Sequence, residues 1–214
     1  MPSFFENALS TVVAHSTQFE HPMVFGSFRS WLHLLRQSSR IEPRFLARVV
    51  LVCLSTLATS PLRRVENLRY GKAVSATPIH PAPVFIVGHW RTGTTHLHNL
   101  LIQDPNLSFV STFQAMAPGF CLVGSQSIRP LLNAISRHIH PTRLIDNIPL
   151  SFDAPQEEDF AIANLSPYSF LHLYSFPQQA EYYFERYTLF QELPAKTLAE
   201  WKEIYLGILR KATF

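Results

Sequence analysis

The chain has 214 residues and a mass of 24.5 kDa, the size of one large domain. Hydrophobic residues make 47% of it and charged residues 15%, which excludes a disordered chain, and seven glycines exclude collagen-like or low-complexity sequence. The net charge of +3 hides an asymmetry: residues 1–72 carry eight Arg and one Lys against four Glu, whereas residues 73–214 are net −2.

The first ten residues, MPSFFENALS, lack the basic start of a signal peptide and contain Glu6. Residues 28–40 place Phe28, Trp31, Leu32 and Leu35 at helical spacing. Pro43 is suited to start the next helix, and Pro61 predicts its end near Thr59. Within it, Val49 to Leu62 is an uncharged run of fourteen residues between Arg48 and Arg63. That is shorter than the roughly 20 residues of a spanning helix. It predicts a buried or interfacial helix whose flanking arginines can snorkel. A short helix is expected over about 62–70, closed by Gly71. Cys53 and Cys121 form no CxxC, which excludes a zinc ribbon or a thioredoxin-like site. Cys53 is expected in the core, and the usage fits a reducing, cytoplasmic setting.

Three prolines in 75–83 (SATPIHPAP) mark a loop and an organisational boundary, giving an N-terminal helical region over 1–80 and a second region over 81–214. Val84-Phe85-Ile86-Val87 has the pattern of a strand buried on both faces in a parallel sheet. From Thr94 the pattern turns helical, with Leu97, Leu100 and Leu101 on one face, until Asp104-Pro105 stops it. Residues 107–113 are a weaker strand candidate. Helices are predicted over 127–139 and about 155–164, 178–190 and 194–212. Lys196, Lys202 and Lys211 read as one exposed side of the last.

The segment that carries chemistry is 84–101, VFIVGHWRTGTTHLHNLL. Gly88, His89, Trp90, Arg91, Thr92, Gly93, Thr94 and Thr95 stand between strand and helix with the spacing of a phosphate-cradling loop. Glycines let the backbone curl so that N–H groups point inward. The helix start adds unpaired N–H groups and a partial charge of about +0.5. An NTPase loop has Lys where this chain has Thr94, so triphosphate hydrolysis is disfavoured. The cation comes earlier, at Arg91, whose planar fork suits an anionic oxygen. The bland alternative is a tight strand-to-helix turn.

PVFIVGHWRTGTTHLHNLLIQDP resembles the 5′-phosphosulfate loop of sulfotransferases that use 3′-phosphoadenosine 5′-phosphosulfate, PAPS, in a bacterial-type branch with an Arg-Ser/Thr-Gly-Thr-Thr loop. Arg143-Leu-Ile-Asp146-Asn147 and Asp153-Ala-Pro-Gln-Glu-Glu-Asp159-Phe are similar to the acidic segment of that branch. The resemblance implies an α/β fold, a P-loop NTPase-like sulfotransferase fold with a parallel sheet, incomplete here and helix-rich. It implies that Arg91 to Thr95 hold the 5′-phosphosulfate, with Arg91 steadying the departing charge. It implies PAPS as donor and no metal, since a singly charged sulfuryl group is served by a cation and backbone donors.

Sulfuryl transfer to a hydroxyl or amine needs a proton acceptor. Glu157 and Glu158 are the candidates, Glu157 ahead. Asp153 is expected to cap a helix with Pro155 in its first turn and Gln156 three residues on. Acids there also serve simply to complement the helix dipole. His96 and His98, and His138 and His140, are spaced by two, so neither pair is suited to chelate a metal on a helix. His98 is placed to face the loop.

One clear strand and one weak one are too little sheet for so many helices, and no segment matches the family's 3′-phosphate site. The expectation is a chain truncated at Phe214, with the 3′-phosphate site beyond it, low stability and doubtful activity. The expected acceptor is a small molecule, a lipid or a carbohydrate, with no nucleic-acid partner. The rival is a non-catalytic, membrane-peripheral or interaction protein with a vestigial loop, contacting anionic lipid through its Arg-rich N-terminal helices. The aromatic residues between Phe160 and Phe190 are expected to be core for the most part and otherwise an apolar cleft.

Overall fold

A computed structural model describes residues 21–38, 41–89, 92–139 and 151–214, with 137–139 described by their backbone. Trp90, Arg91, His140, Arg143, Asp146 and Asn147 lie outside the described residues. Helix α1 is Phe28–Gln37, opened by Ser27, whose hydroxyl accepts from the Ser30 N–H at 3.3 Å. A 3-10 turn at Pro43–Phe45 leads into α2, Leu46–Ala76, a single helix of 31 residues. The predicted stops at Pro61 and Gly71 do not act. Pro61 is exposed, so its ring displaces no packed neighbour. The hydroxyls of Thr56, Thr59 and Ser60 donate back to the carbonyls of Val52, Ser55 and Thr56 at 2.6, 3.0 and 2.8 Å, which holds the turn before it. Gly71 sits under Asn67, whose Oδ1 would lie 2.8 Å from an added Cβ.

No sheet forms among the described residues. Val84, Phe85 and Val87 belong to no strand there and stand 66, 60 and 91% exposed, so the expected burial of this run is not met. A strand is completed by the backbone beside it, which the run itself does not supply. The weaker strand candidate divides instead. Ser111 makes an isolated antiparallel bridge with Pro155, and Thr112–Met116 becomes α4. The cause is a capping box: Ser111 Oγ accepts from Gln114 N at 3.2 Å, and Gln114 Oε1 accepts from Ser111 N at 2.8 Å.

Helix α3 is Thr94–Leu101, α5 is Cys121–Gly124 and α6 is Ile128–Ile139. Helix α7 is Glu158–Leu165, α8 is Ala180–Tyr187 and α9 is Ala195–Thr213. Three clusters make the core. Met23, Trp31, Leu34 and Val52 pack with Leu173, Tyr183 and Tyr187, so the first helices share a core with the aromatic run. Tyr168, Phe170 and Phe176 pack against the same cluster, which makes that stretch largely core. Val110, Ala115, Ala161, Ile162 and Ile208 join α4, α7 and α9. Phe113, Ala117, Phe120, Cys121 and Phe152 form the third. Cys53 is half-buried at the edge of the first.

Two charged side chains of α2 turn inward. Arg63 was a candidate for snorkelling; instead its guanidinium donates to the carbonyls of Phe25 and Gly26, and burial pulls its pKa down to about 10. Glu66 is buried, and Oε2 accepts from the N–H groups of Leu122 and Val123 at 2.8 and 3.2 Å. Its Oε1 meets Lys211 Nζ at 2.5 Å, and Lys211 also donates to the Pro118 carbonyl. Lys211 therefore does not share the exposed side of α9 with Lys196 and Lys202. One carboxylate ties α2, α5 and α9 together.

Candidate functional site

The loop after residue 84 closes on itself. An added Cβ at Gly88 would lie 2.8 Å from Thr94 Cγ2 and 3.0 Å from Thr92 Oγ1, so only glycine lets the two ends of the loop meet. The Thr92 hydroxyl donates to the His89 carbonyl at 2.6 Å. Gly93, at φ +90°, occupies the cap position of α3 in the left-handed region, where a side chain is strained. The Gly93 carbonyl accepts from Leu97 N at 3.0 Å, but among the described residues no side chain caps the helix. The first-turn N–H groups are thus presented beside the Thr94 and Thr95 hydroxyls. Uncapped N–H groups at a helix start are of the kind that can receive an anion. Leu97 and Leu100, on the apolar face of α3, are 47 and 56% exposed.

His98 meets the Phe109 ring edge-on, with centroids 6.3 Å apart. His96 is exposed, and the His138 side chain lies outside the description. Among the described residues no group of three His, Cys, Asp or Glu could hold a metal ion.

The acidic segment is shaped by long-range contacts. Residues 152–156 run beside 110–113: Phe113 N donates to the Phe152 carbonyl, Thr112 N to that of Ala154, and Gln156 N to that of Val110, at 2.9, 2.8 and 2.9 Å. Asp153 is drawn aside by Arg129, at 3.3 Å, and by Asn133 Nδ2, at 2.7 Å. It therefore caps nothing, and α7 starts later than predicted. Glu157 stands at its cap position, exposed, with Glu158 and Asp159 in the first turn. Phe109, against His98, is joined in the chain to Val110, against Gln156. Helix α3 and the acidic turn are linked by that short path.

Asp159 is the acid that sequence reasoning passed over. Burial pushes its pKa up to about 6, helped by the charges of Glu157 and Glu158. Across from it, the Tyr205 phenol of α9 is raised to about 12 by burial and by the charges of Glu158 and Asp159. Tyr174 is raised by burial and by Glu157. The available signal was the apolar run Phe160-Ala161-Ile162 that follows Asp159 directly, since an acid opening a buried helix is the one most desolvated.

The sequence model of the sulfotransferase family matches residues 83–206, which include both the loop and the acidic turn. The omega-hydroxy-beta-dihydromenaquinone-9 sulfotransferases of Mycobacterium tuberculosis and Mycobacterium bovis are each 30% identical over 197 residues. The match covers 88% of this chain and 47% of theirs, so the chain spans about half the length of the curated relatives it matches. No solved structure matches it.

Proposed function

The chain belongs to the sulfotransferase family, and we propose that it carries the donor loop and the proton acceptor of a PAPS-dependent transfer to a hydroxyl or amine. The observation that carries this reading is the loop itself. Gly88 lies against Thr92 and Thr94, and Gly93 opens a helix that no described side chain caps. A phosphosulfate fits such a group of donors. In this proposal Thr92 to Thr95 hold the 5′-phosphosulfate, and Arg91 steadies charge on the departing phosphate. The sulfur–oxygen bond to that phosphate breaks with its electrons going to phosphate oxygen. A new bond forms from sulfur to the acceptor's oxygen or nitrogen, whose proton passes to a carboxylate of 157–159. Glu157 and Glu158 remain candidates from the sequence. Asp159, at about 6, is the best matched to accept a proton near neutral pH. The relatives are named for a hydroxylated dihydromenaquinone, which supports a hydroxyl on a lipid-like molecule as acceptor. The free thiols of Cys53 and Cys121 support a cytoplasmic setting.

Calorimetry without metal tests the donor site. 3′-Phosphoadenosine 5′-phosphate is expected to bind through the loop and Arg91→Ala to abolish that binding, and a preference for it over adenosine 5′-monophosphate and ATP would show that this chain also supplies a 3′-phosphate contact. Equal weak binding of the two non-triphosphates would leave a working loop without a 3′-phosphate contact. No binding by a folded chain would favour the rival, a non-catalytic interaction protein, which the open Val84–Val87 run supports. For the proton acceptor, Asp159→Asn is expected to slow turnover about 100-fold with bisphosphate binding intact. If Glu157→Gln or Glu158→Gln does so instead, the role moves to that neighbour.

A further inference from the structure

Helix α2 has two sides of opposite fate. Its inner side buries Val52, Thr56, Glu66 and Val74 against the body. Its outer side carries Leu46, Val50, Leu54, Leu57, Val65 and Leu68, each between 47 and 88% exposed. Their spacing of three and four residues, with exposed Pro61 in line, sets them along one face for about 33 Å at 1.5 Å per residue. Arg64 and Lys72 stand one helical turn on either side of Leu68, and Arg69 one turn beyond Val65. All three are exposed. The one acid of α2, Glu66, is on the inner side and already paired with Lys211. At the front of the helix Arg44 is exposed and pairs with Glu42 at 2.8 Å. An apolar band running into unopposed basic side chains complements an anionic bilayer surface, where the leucines enter the acyl boundary and the cations meet headgroups.

We infer that the outer face of α2 docks the protein on an anionic membrane, with the helix lying in the interface plane. The helix from Pro43 to Ala76 is long and apolar enough to cross a bilayer, and only 11% of its most apolar window is buried. Crossing is nevertheless opposed by its inner side. It would strip Val52 of its core cluster, Arg63 of the Phe25 and Gly26 carbonyls, and Glu66 of Lys211 and two backbone donors. Lying flat keeps every one of these contacts and covers the side that has no partner among the described residues. The orientation places the protein where a lipid-soluble molecule is dissolved, though the docking does not depend on the proposed donor chemistry.

Co-sedimentation of the full chain with phosphatidylcholine vesicles, with and without phosphatidylglycerol, tests it. The wild type is expected to bind the anionic vesicles and to be released by salt. Leu54→Asp with Leu57→Asp is expected to weaken binding about tenfold or more. Arg64→Glu with Lys72→Glu is expected to cost about fivefold per residue and to remove the preference for phosphatidylglycerol. All four side chains point outward, so melting curves and bisphosphate binding are expected to stay as in the wild type, which separates this test from that of the donor site. The inference fails if the folded wild type stays in the supernatant, or if the aspartate variants sediment as the wild type does. It also fails if the face holds a dimer that Leu54→Asp splits while vesicles go unbound.

Discussion

In two places of this molecule backbone N–H groups stand at the start of a helix that no side chain of its own turn caps. At Leu122 and Val123 the protein supplies its own anion, the Glu66 carboxylate, with Lys211 as counter-ion. At Gly93–Thr95 no described side chain caps the helix start. The first arrangement is dry and joins three helices. The second opens on Gly93, which is exposed. The same device fastens a fold when its anion is internal, and in the proposed function it receives a ligand because the anion comes from outside.

That contrast can be broken most directly at Glu66. Glu66→Ala leaves two amide donors and the Lys211 ammonium without their acceptor. It is expected to cost about 3–5 kcal/mol, or about 10 °C in melting temperature. An unchanged melt would show that the carboxylate fastens nothing. A pH series gives the next largest effect. Burial holds His21 at about 3 and His172 at about 4, so both stay neutral in the fold while the unfolded chain takes up protons below about 6.5. Their contribution is complete above that pH and is lost as pH falls toward those values. Asp159 works the other way: its folded pKa of about 6 stabilises the fold as pH falls from there toward the ordinary carboxylate range. Two imidazoles against one carboxyl leave a loss of about 1.4 kcal/mol per pH unit, or about 2 kcal/mol from pH 6.5 to 5. Melting curves over that range check it, and Asp159→Asn should steepen the loss. A melting temperature that stays flat or rises on acidification would contradict neutral burial of the two histidines. The smallest effect is expected at Gly93. A side chain at φ +90° is strained by about 1–2 kcal/mol, so Gly93→Ala should weaken bisphosphate binding about tenfold and lower the melting temperature by only a few degrees. If the melt falls as it does for Glu66→Ala, the loop is part of the body and the contrast collapses.

The spacing of Gly88, Thr92, Gly93 and Thr94 was legible because the contacts described among them are local. The acidic turn was legible in composition and misplaced in geometry, because its register is set by residues 110–113 and by Arg129 and Asn133. Pro61 misled for the same reason: packing of the inner side of α2 carries the helix through a residue that locally predicts its end. The Val84–Val87 run reads as a buried strand, but burial depends on neighbouring strands that do not occur among the described residues. Glu66 left one overlooked signal. It is the sole acid between Glu42 and Asp104, set within a basic and apolar stretch.

Cys121 lies beside the Glu66 carboxylate, its sulfur 4.0 Å from Oε1, and burial pushes its thiol up to about 12. A thiol so held has almost no thiolate at neutral pH and no path to solvent. An alkylating reagent can reach it only when α5 parts from α2 and α9. Cys53, half-buried, is open to the same reagent without that separation. The protein therefore carries a two-speed chemical clock: the fast thiol reports the reagent, and the slow one counts how often the helices joined at Glu66 come apart.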